Sequence, residues 1–447
     1  MIDMRNAVRR ISKNVVILFL LVSLVVLTIA TWFGDIQPGN AQRRQVIGEL
    51  FGWSGDKDGD VYPGYEEYDY TMSIFSPVRA AVRGEGELTY LTARSEAREL
   101  FERVSAVLAG AMDTANTRRE LTAYQWRGVL SGTMVLFDFE GEMPLDMLSA
   151  VLGASDYGPL ERQARYAALC VDRDALTFVI KAENGVPAAY QTALHSAELA
   201  SLIREYGEGN AQFAFEDRVY SRHLPDEFVV LDNRPKPAVI KMSSTFTDYT
   251  STSSERVINA VLESFGYNPY TTGGYIESDD TRVYVEELRT LRVSPDGALS
   301  YYAPEPEAVT PSAPDAEARL AIISNATSML DRVTSNYMGD GAEGVSIYIM
   351  RAYYNASSGR YIVLFGCEVD GIVLSFQDGY FARFEYAGTE LAGAHLTVAS
   401  YYPTAQYDEP MPDAQAAASV TGKSRLFELR YVKKQNDEYH ADWYYLE

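Results

Sequence analysis

The longest apolar run of the chain lies near its start. Asn14 to Gly34 contains 21 residues without a charged side chain. A helix of that length spans roughly 30 Å at about 1.5 Å per residue, which is the thickness of the hydrocarbon core of a bilayer. Trp32 and Phe33 fall where an interfacial aromatic belt forms. The pattern predicts one transmembrane helix.

The charges beside this run predict its orientation. Arg5, Arg9, Arg10 and Lys13 precede it, whereas Asp35 follows it. Basic residues favour the cytoplasmic side, so we expect a single-pass protein of the cell membrane with a cytoplasmic N-terminus and an extracytoplasmic bulk. A cleaved secretory signal is the alternative, with residues 28–30 (Thr-Ile-Ala) as a small-x-small site.

Downstream, apolar residues recur at spacings of three and four in several segments, which indicates amphipathic helices. The helix over Ser95 to Met112 is the clearest, with Thr92 or Ser95 as its cap. Further helices are predicted over 197–206, 254–265, 315–337 and 413–420.

Apolar or alternating runs bounded by Gly, Asp, Asn and Pro predict strands. Asp370-Gly371 and Asp378-Gly379 are dipeptides typical of tight hairpin turns. The predicted strands cover 128–139, 164–171, 176–181, two short runs within 229–241, a meander over 282–302, and 345–354, 360–369, 371–377, 379–386, 395–402, 427–432 and 439–446.

Helices alternate with runs of hairpin-connected strands, which indicates the α+β class. Four prolines within 303–314 mark a linker. The predicted organisation is a cytoplasmic tail and transmembrane helix (1–34), an acidic stalk (35–70), an N-terminal extracytoplasmic α+β domain (71–225), a central α+β module (226–303), a proline-rich linker (304–314) and a C-terminal α+β domain (315–447).

The charge of the chain restricts its partners. The net charge is −23, and the four basic and one acidic residues of 1–34 leave −26 on the remainder. Such a surface repels nucleic acid. The only two cysteines, Cys170 and Cys367, lie in apolar runs and are expected to be small buried residues without a disulfide.

A cluster of acids in the stalk has calcium-loop spacing. Asp56, Asp58, Asp60 and Glu67 occupy positions 1, 3, 5 and 12 of such a loop, and Ca²⁺ requires six to eight oxygen ligands. Val61 stands where the sharp turn of the loop requires glycine. The alternative is a solvated acidic spacer, and no other cofactor is predicted.

Catalytic motifs are weak. The single Ser-x-x-Lys, Ser54 to Lys57, lies in the stalk without the companion motifs of penicillin-recognising enzymes. The four histidines are scattered singly, so a zinc site lacks its ligand pattern. Candidate glycosidase pairs are 172/174, 279/280 and 286/287, although sequence cannot supply the fixed carboxylate separation that this chemistry requires.

Tyrosine is abundant, with 32 residues, including adjacent pairs at 301–302, 353–354, 401–402 and 444–445. Neighbours in a strand face opposite sides, so each pair is expected to place one ring in the core and one on the surface. Exposed tyrosines favour protein contacts. Lys423, Arg425, Arg430, Lys433 and Lys434 form a basic island that suits either an acidic partner or the protection of a strand edge.

Three segments together resemble the YycH/YycI group of regulators from Gram-positive bacteria. They are the start, RRISKNVVILFLLVSLVVLTIATWF, the segment VYVEELRTLRVSPDGALSYYAP, and the end, FELRYVKKQNDEYHADWYYLE with Trp443. The C-terminal domain is expected to be the part that is similar to YycI.

The resemblance implies a regulator of a two-component system and not an enzyme. Members of this group adjust a cell-wall-sensing histidine kinase through their transmembrane helices, and their outer domains pair two related regulators. In this chain the contact segment would be the transmembrane helix, where Ala30 and Gly34 form a small-xxx-small pair. The alternatives are a membrane-anchored cell-wall hydrolase and a binding module for a polysaccharide or peptide.

Overall fold

The computed structural model describes residues 74–84, 86–154, 163–206, 209–247, 252–304, 313–335 and 345–446. These residues form seven α-helices and 22 strands in a mixed α+β arrangement. The helices are α1 (Arg94–Thr114), α2 (Ala123–Ser131), α3 (Leu145–Leu152), α4 (Ala197–Ile203), α5 (Thr252–Ser264), α6 (Ala316–Thr334) and α7 (Asp413–Ser419).

The strands follow one another in two groups along the chain. The first group is β1 (Arg79–Arg83), β2 (Leu88–Leu91), β3 (Asn116–Glu120), β4 (Met134–Pro144), β5 (Gln163–Asp172), β6 (Ala175–Lys181), β7 (Ala188–His195), β8 (Ala211–Phe213) and β9 (Val229–Leu231). The second is β10 (Ala238–Ser244), β11 (Gly274–Ile276), β12 (Arg282–Glu286), β13 (Arg289–Val293), β14 (Ala298–Tyr302), β15 (Val345–Asn355), β16 (Arg360–Val369), β17 (Ile372–Ser375), β18 (Ala382–Ala387), β19 (Glu390–Thr397), β20 (Ala399–Tyr407), β21 (Leu426–Lys433) and β22 (Glu438–Leu446).

Each group forms one sheet. The N-terminal sheet has the order β3-β7-β6-β5-β4-β1-β2-β8-β9. The C-terminal sheet has the order β11-β12-β13-β14-β19-β18-β16-β17-β21-β22-β10-β20, with β15 paired to β16. β17 and β21 run parallel, and the other pairings between described strands are antiparallel. Apart from β9, which joins the N-terminal sheet, the strands predicted for the central and C-terminal domains share one sheet, while the predicted domain boundaries stay predictions.

Helices cover both faces of the N-terminal sheet. Phe101 of α1 packs edge-on against Phe137 of β4, with ring centroids 5.4 Å apart. The next side chain back along β4, Leu136, points the other way and packs in the cluster that contains Trp126 and Leu130 of α2. Since Phe101 is fully buried, Phe101→Ala is expected to cost about 3–5 kcal/mol of unfolding free energy.

The helices of the second half pack on the C-terminal sheet and on each other. α5 contacts α6, and α6 contacts β18. Tyr386 of β18 donates a hydrogen bond to Asn325 of α6 at 2.8 Å. α6 begins with Asp315 as its N-cap, which accepts from the backbone N–H of Ala318 at 2.9 Å.

Most predicted elements are confirmed with small shifts of their ends. The helix predicted over 95–112 covers Arg94–Thr114, but its N-cap is Ala93 without a capping side chain, so the prediction of Thr92 or Ser95 was wrong. The strand predicted over 128–139 was wrong at its start, because residues up to Ser131 belong to α2. A capping box between Thr122 and Gln125 begins that helix.

The tyrosine pairs alternate as expected where one ring meets the core. Tyr301 is buried, whereas Tyr302 is 54% exposed. Tyr401 is also buried, beside a half-buried Tyr402. Both rings of the 353–354 pair are half-buried, so that pair does not follow the rule. Cys170 and Cys367 are buried free thiols, as predicted.

The two sheets meet at places with no room for side chains. Gly141 of β4 lies against Met350 of β15, and a Cβ atom there would be 2.5 Å from the backbone of that strand. Gly371, in the turn between β16 and β17, has φ +78°, and a Cβ atom there would collide with the carbonyl oxygen of Thr92. Glycine is therefore required at both positions, and at Gly371 its left-handed backbone is a second reason.

Candidate functional site

A cleft of about 440 Å³ lies between the two sheets. One wall is formed by β9 and the segment before it, and the other by the start of β21 and the turn at Gly371. Apolar side chains of both walls, including Phe228, Ile372 and Leu426, face the cavity together with four prolines. The volume falls in the range that is usual for ligand sites.

Charged side chains form the floor of the cleft. Arg165 of β5 lies 3.3 Å from Asp138, 3.1 Å from Glu140 and 3.4 Å from Glu428. Arg79 of β1 lies 2.9 Å from Asp138 and also pairs with Glu140. We call these five residues the ion-pair floor. All five are buried or nearly so, and they join both sheets.

The register of the N-terminal sheet brings these groups together. Asp138 lies directly opposite Arg79 across the pairing of β4 and β1. After Asp138 the pairing of β4 with β5 is irregular, and Glu140 adopts a left-handed backbone with φ +64°. The N–H of Glu140 donates to the carboxylate of Asp138 at 2.9 Å. This bulge turns a second carboxylate toward the same arginines.

The carboxylates keep both arginines charged. Burial by itself lowers the pKa of Arg79, but the negative charges around it, of which Asp138 contributes most, together outweigh this effect, so the pKa is raised. The pKa of Arg165 is likewise well above its ordinary value, because the surrounding negative charges outweigh the effect of burial. Burial also raises the pKa of Tyr90 and Tyr166, which therefore stay neutral phenols.

The rim of the cleft carries paired and exposed cations. Arg234 forms a bidentate pair with Asp413 at 3.0 and 2.8 Å. Its guanidinium also stacks 5.2 Å from the ring centroid of Trp443. Lys236 pairs with Glu409 on the surface, and Arg425 is an exposed side chain at the mouth.

A second, smaller cavity of about 290 Å³ adjoins a buried ion pair. Arg94 of α1 lies 3.6 Å from Glu368 of β16, which is completely buried. Arg94 also donates to the carbonyl of Ile347 at 2.9 Å, and Glu368 accepts from the N–H of Gly371 at 2.7 Å. Burial raises the pKa of Glu368, although Arg94 acts in the opposite direction.

The predicted site residues lie outside the part of the chain that the structure describes. This holds for the calcium candidates Asp56, Asp58, Asp60 and Glu67 and for the contact pair Ala30 and Gly34. Both hypotheses stay predictions.

The described residues contain neither a membrane-spanning helix nor a metal-binding cluster. None of their helices combines the length and apolarity that a membrane crossing requires. Within 74–446, apart from the gaps given above, no group of three or more His, Cys, Asp and Glu side chains is arranged to hold a metal ion.

The candidate carboxylate pairs of a hydrolase do not meet in the cleft. The residues 172, 174, 279, 280, 286 and 287 are all absent from its lining. Four of the five acids that line the cleft are already paired: Asp138, Glu183 and Glu428 with Arg165, and Glu227 with Lys181 at 2.6 Å.

The basic island is largely neutralised within the molecule. Lys423 pairs with Asp226 at 2.7 Å, and Lys433 with Asp437 at 2.9 Å. Lys434 lies 3.5 Å from Asp442 of β22, and Arg430 pairs with Glu428 of the ion-pair floor. Exposed Arg425 is the member that faces the cleft.

Reasoning from sequence missed the ion-pair floor. One signal was present, since Phe137 and Phe139 alternate with Asp138 and Glu140 in a buried strand. Acids on one face of such a strand indicate a polar interior site. The position of Arg165 against them was not visible, because it depends on strand pairing.

Comparison with known proteins bears on the fold. No family model matches the chain, and no curated protein sequence matches it. The structure is similar to the crystal structure of YycH from Bacillus subtilis, with a TM-score of 0.54 and 10% sequence identity. The match covers 84% of this chain and 94% of that chain. At the level of the fold, the resemblance proposed from sequence is confirmed.

Proposed function

We propose that this protein is a membrane-anchored, extracytoplasmic regulator that modulates a cell-wall-sensing histidine kinase. It acts through contacts of its transmembrane helix and its outer domain, and it pairs with a related regulatory protein. The observation that carries the proposal is the similarity to YycH over 84% of the chain. The hydropathy of Asn14 to Gly34 supports the anchor.

The chemistry of the cleft supports a binding protein better than a hydrolase. In glycoside hydrolysis one carboxyl group must act as a proton donor and the other as a base or nucleophile. The carboxylates of the floor instead accept from arginines on several sides. Such pairing holds these carboxylates in a fixed structure.

Crosslinking in living cells tests the kinase contact. A photo-reactive residue replaces Ala30, and the matched control carries it at Thr28, which a helix places roughly 200° around its axis. We expect capture of a histidine kinase from position 30 and much less from position 28. Recovery of no membrane protein from either position would contradict the proposal.

Exchange of the membrane helix tests the same proposal by its output. Replacing residues 14–34 with an unrelated apolar helix keeps the anchor but removes its specific surface. We expect the transcriptional output of the kinase to change as it does when the whole protein is deleted. An unchanged output would assign the regulation to the outer domain alone.

A further inference from the structure

One wall of the cleft is the outer edge of β9, with which none of the described strands pairs. β9 pairs with β8 on one side. The backbone N–H of Asp232 continues that ladder by donating to the carbonyl of Asn210 at 2.9 Å. In an antiparallel ladder, alternate residues direct their N–H and C=O groups toward the partner strand. Val230 therefore faces β8. Val229 and Leu231, which both line the cleft, direct their backbone N–H and C=O groups away from β8.

The opposite wall contains a second edge. The backbone N–H of Lys434 donates to the carbonyl of Glu438 at 2.7 Å. Since hydrogen-bonded residues alternate along an antiparallel ladder, the even-numbered residues of β21 direct their backbone N–H and C=O groups toward β22. Phe427 therefore directs its N–H and C=O groups away from β22. β17 covers this side of β21 from Arg430 onward, so among the described strands none pairs with the Phe427 backbone.

The lining of the cleft, including its rim, has no net formal charge. Five basic and five acidic side chains line the cleft. Two buried members, Arg165 and Asp138, are paired with each other at 3.3 Å. Apolar side chains and prolines supply the rest of the walls. A ligand therefore gains little from a charge of its own, but it can gain backbone hydrogen bonds and apolar contacts.

From this geometry we propose that the cleft binds a short, extended segment of a partner polypeptide as an added strand on β9, with uncharged apolar side chains at alternate positions. An extended chain presents N–H and C=O groups at the same repeat as the outward groups of Val229 and Leu231. Its alternate side chains point into the apolar part of the cleft. The inference does not depend on the identity of any kinase.

A peptide library tests the proposal with the full-length chain in lipid nanodiscs. Fluorescent heptapeptides of random sequence are screened, and the tightest are resynthesised with a methyl group on one backbone nitrogen at a time. Strand addition requires that methylation weakens binding about tenfold at alternate positions and little at those between, since a lost hydrogen bond changes affinity by about that factor.

Two proline variants test whether the peptide binds to the edge of β9 and not to another strand edge. Leu231→Pro removes an outward N–H from β9 without removing a bond to β8. The matched control is Ile276→Pro in the edge strand β11. The backbone N–H of Glu277 donates to the carbonyl of Thr281 at 2.9 Å, so the N–H of the preceding residue, Ile276, also points away from its partner strand. We expect peptide affinity to fall about tenfold in the first variant and to stay unchanged in the second.

Hydrogen exchange of the unmodified protein gives a result that does not depend on how the variants fold. Bound peptide is expected to slow exchange at the amides of Val229 and Leu231 and to leave that of Ile276 unchanged. The proposal is overturned if no peptide binds, if methylation acts equally at all positions, or if the two amides exchange at the same rate with and without peptide. Binding of a small apolar molecule without these effects would identify a different kind of site.

Discussion

Arg165 and Glu428 form an ion pair of 3.4 Å that joins the N-terminal sheet to the C-terminal sheet. The two residues are 263 positions apart in the sequence. Arg165 also pairs with Asp138 and Glu140, so one guanidinium contacts three buried carboxylates.

Loss of this guanidinium should therefore destabilise the whole molecule. For Arg165→Met we expect a decrease of about 3–5 kcal/mol in the free energy of unfolding, because the three buried carboxylates then have only Arg79 and Arg430 as cationic partners and one buried negative charge is left unbalanced. Urea denaturation followed by circular dichroism measures it. Arg351→Met is the matched control, since Arg351 pairs with Glu142 at 3.3 Å but is 54% exposed, and it should cost at most about 1 kcal/mol. Equal losses in both variants would contradict the role of the floor.

The buried pair of Arg94 and Glu368 predicts strong coupling between two substitutions. Arg94→Leu and Glu368→Leu each remove one buried charge and leave the other without this counter-charge. Each is expected to lower the free energy of unfolding by about 3–5 kcal/mol. The double variant removes both charges, so its cost should be smaller than the sum of the two by about 1–3 kcal/mol. A double-mutant cycle in urea measures the difference. Additive costs would show that the two charges do not depend on each other.

Asp226 predicts a dependence of stability on pH. Burial alone raises the pKa of its carboxyl, but hydrogen bonds from Arg127 at 2.8 Å and Lys423 at 2.7 Å outweigh this, so the pKa is lowered. A lowered carboxyl pKa gives stability that is complete above the ordinary aspartate value and is lost as pH falls through the lowered one.

The corresponding variant is Asp226→Asn. We expect it to be about 2 kcal/mol less stable than the wild type at pH 7, and we expect the difference to shrink as pH falls from about 5 to 2. Thermal unfolding over this range measures it. Asp172→Asn, at an exposed end of β5, is the control and should show a small difference throughout. A constant difference for Asp226→Asn would refute the argument.

The two cysteines are expected to be inert in the folded protein. Burial raises the pKa of Cys170 to about 12, and it also raises the pKa of Cys367. Since the thiolate is the reactive form, iodoacetamide at pH 8 should modify neither until urea unfolds the chain. Mass spectrometry counts the adducts. A cysteine introduced at exposed Tyr124 is the control, and rapid modification of a native thiol would contradict the described burial.

The elements that could be predicted from sequence are those with a local physical cause. The helix of Ser95 to Met112 was recognisable because one face must be buried, and its observed limits differ by one or two residues. The Asp370-Gly371 turn was recognisable because both residues adopt positive φ between β16 and β17.

The elements that were missed depend on contacts between distant residues. The start of α2 was not predicted and its end, Gly128 to Ser131, was assigned to a strand, although Thr122 and Gln125 carry the sequence signature of its capping box. The cleft could not be predicted, because its walls are strands from opposite halves of the chain. No periodicity records that Arg165 and Glu428 meet.

The position of β22 has a consequence for biosynthesis. This strand is the last of those described along the chain, yet it lies between β21 and β10, and Tyr439 pairs with Ile240. The ladder around β10 therefore waits for a segment that leaves the ribosome about two hundred residues later, and such distant pairing is slow. Until then the nascent chain exposes open strand edges, so we expect chaperones to bind it during synthesis.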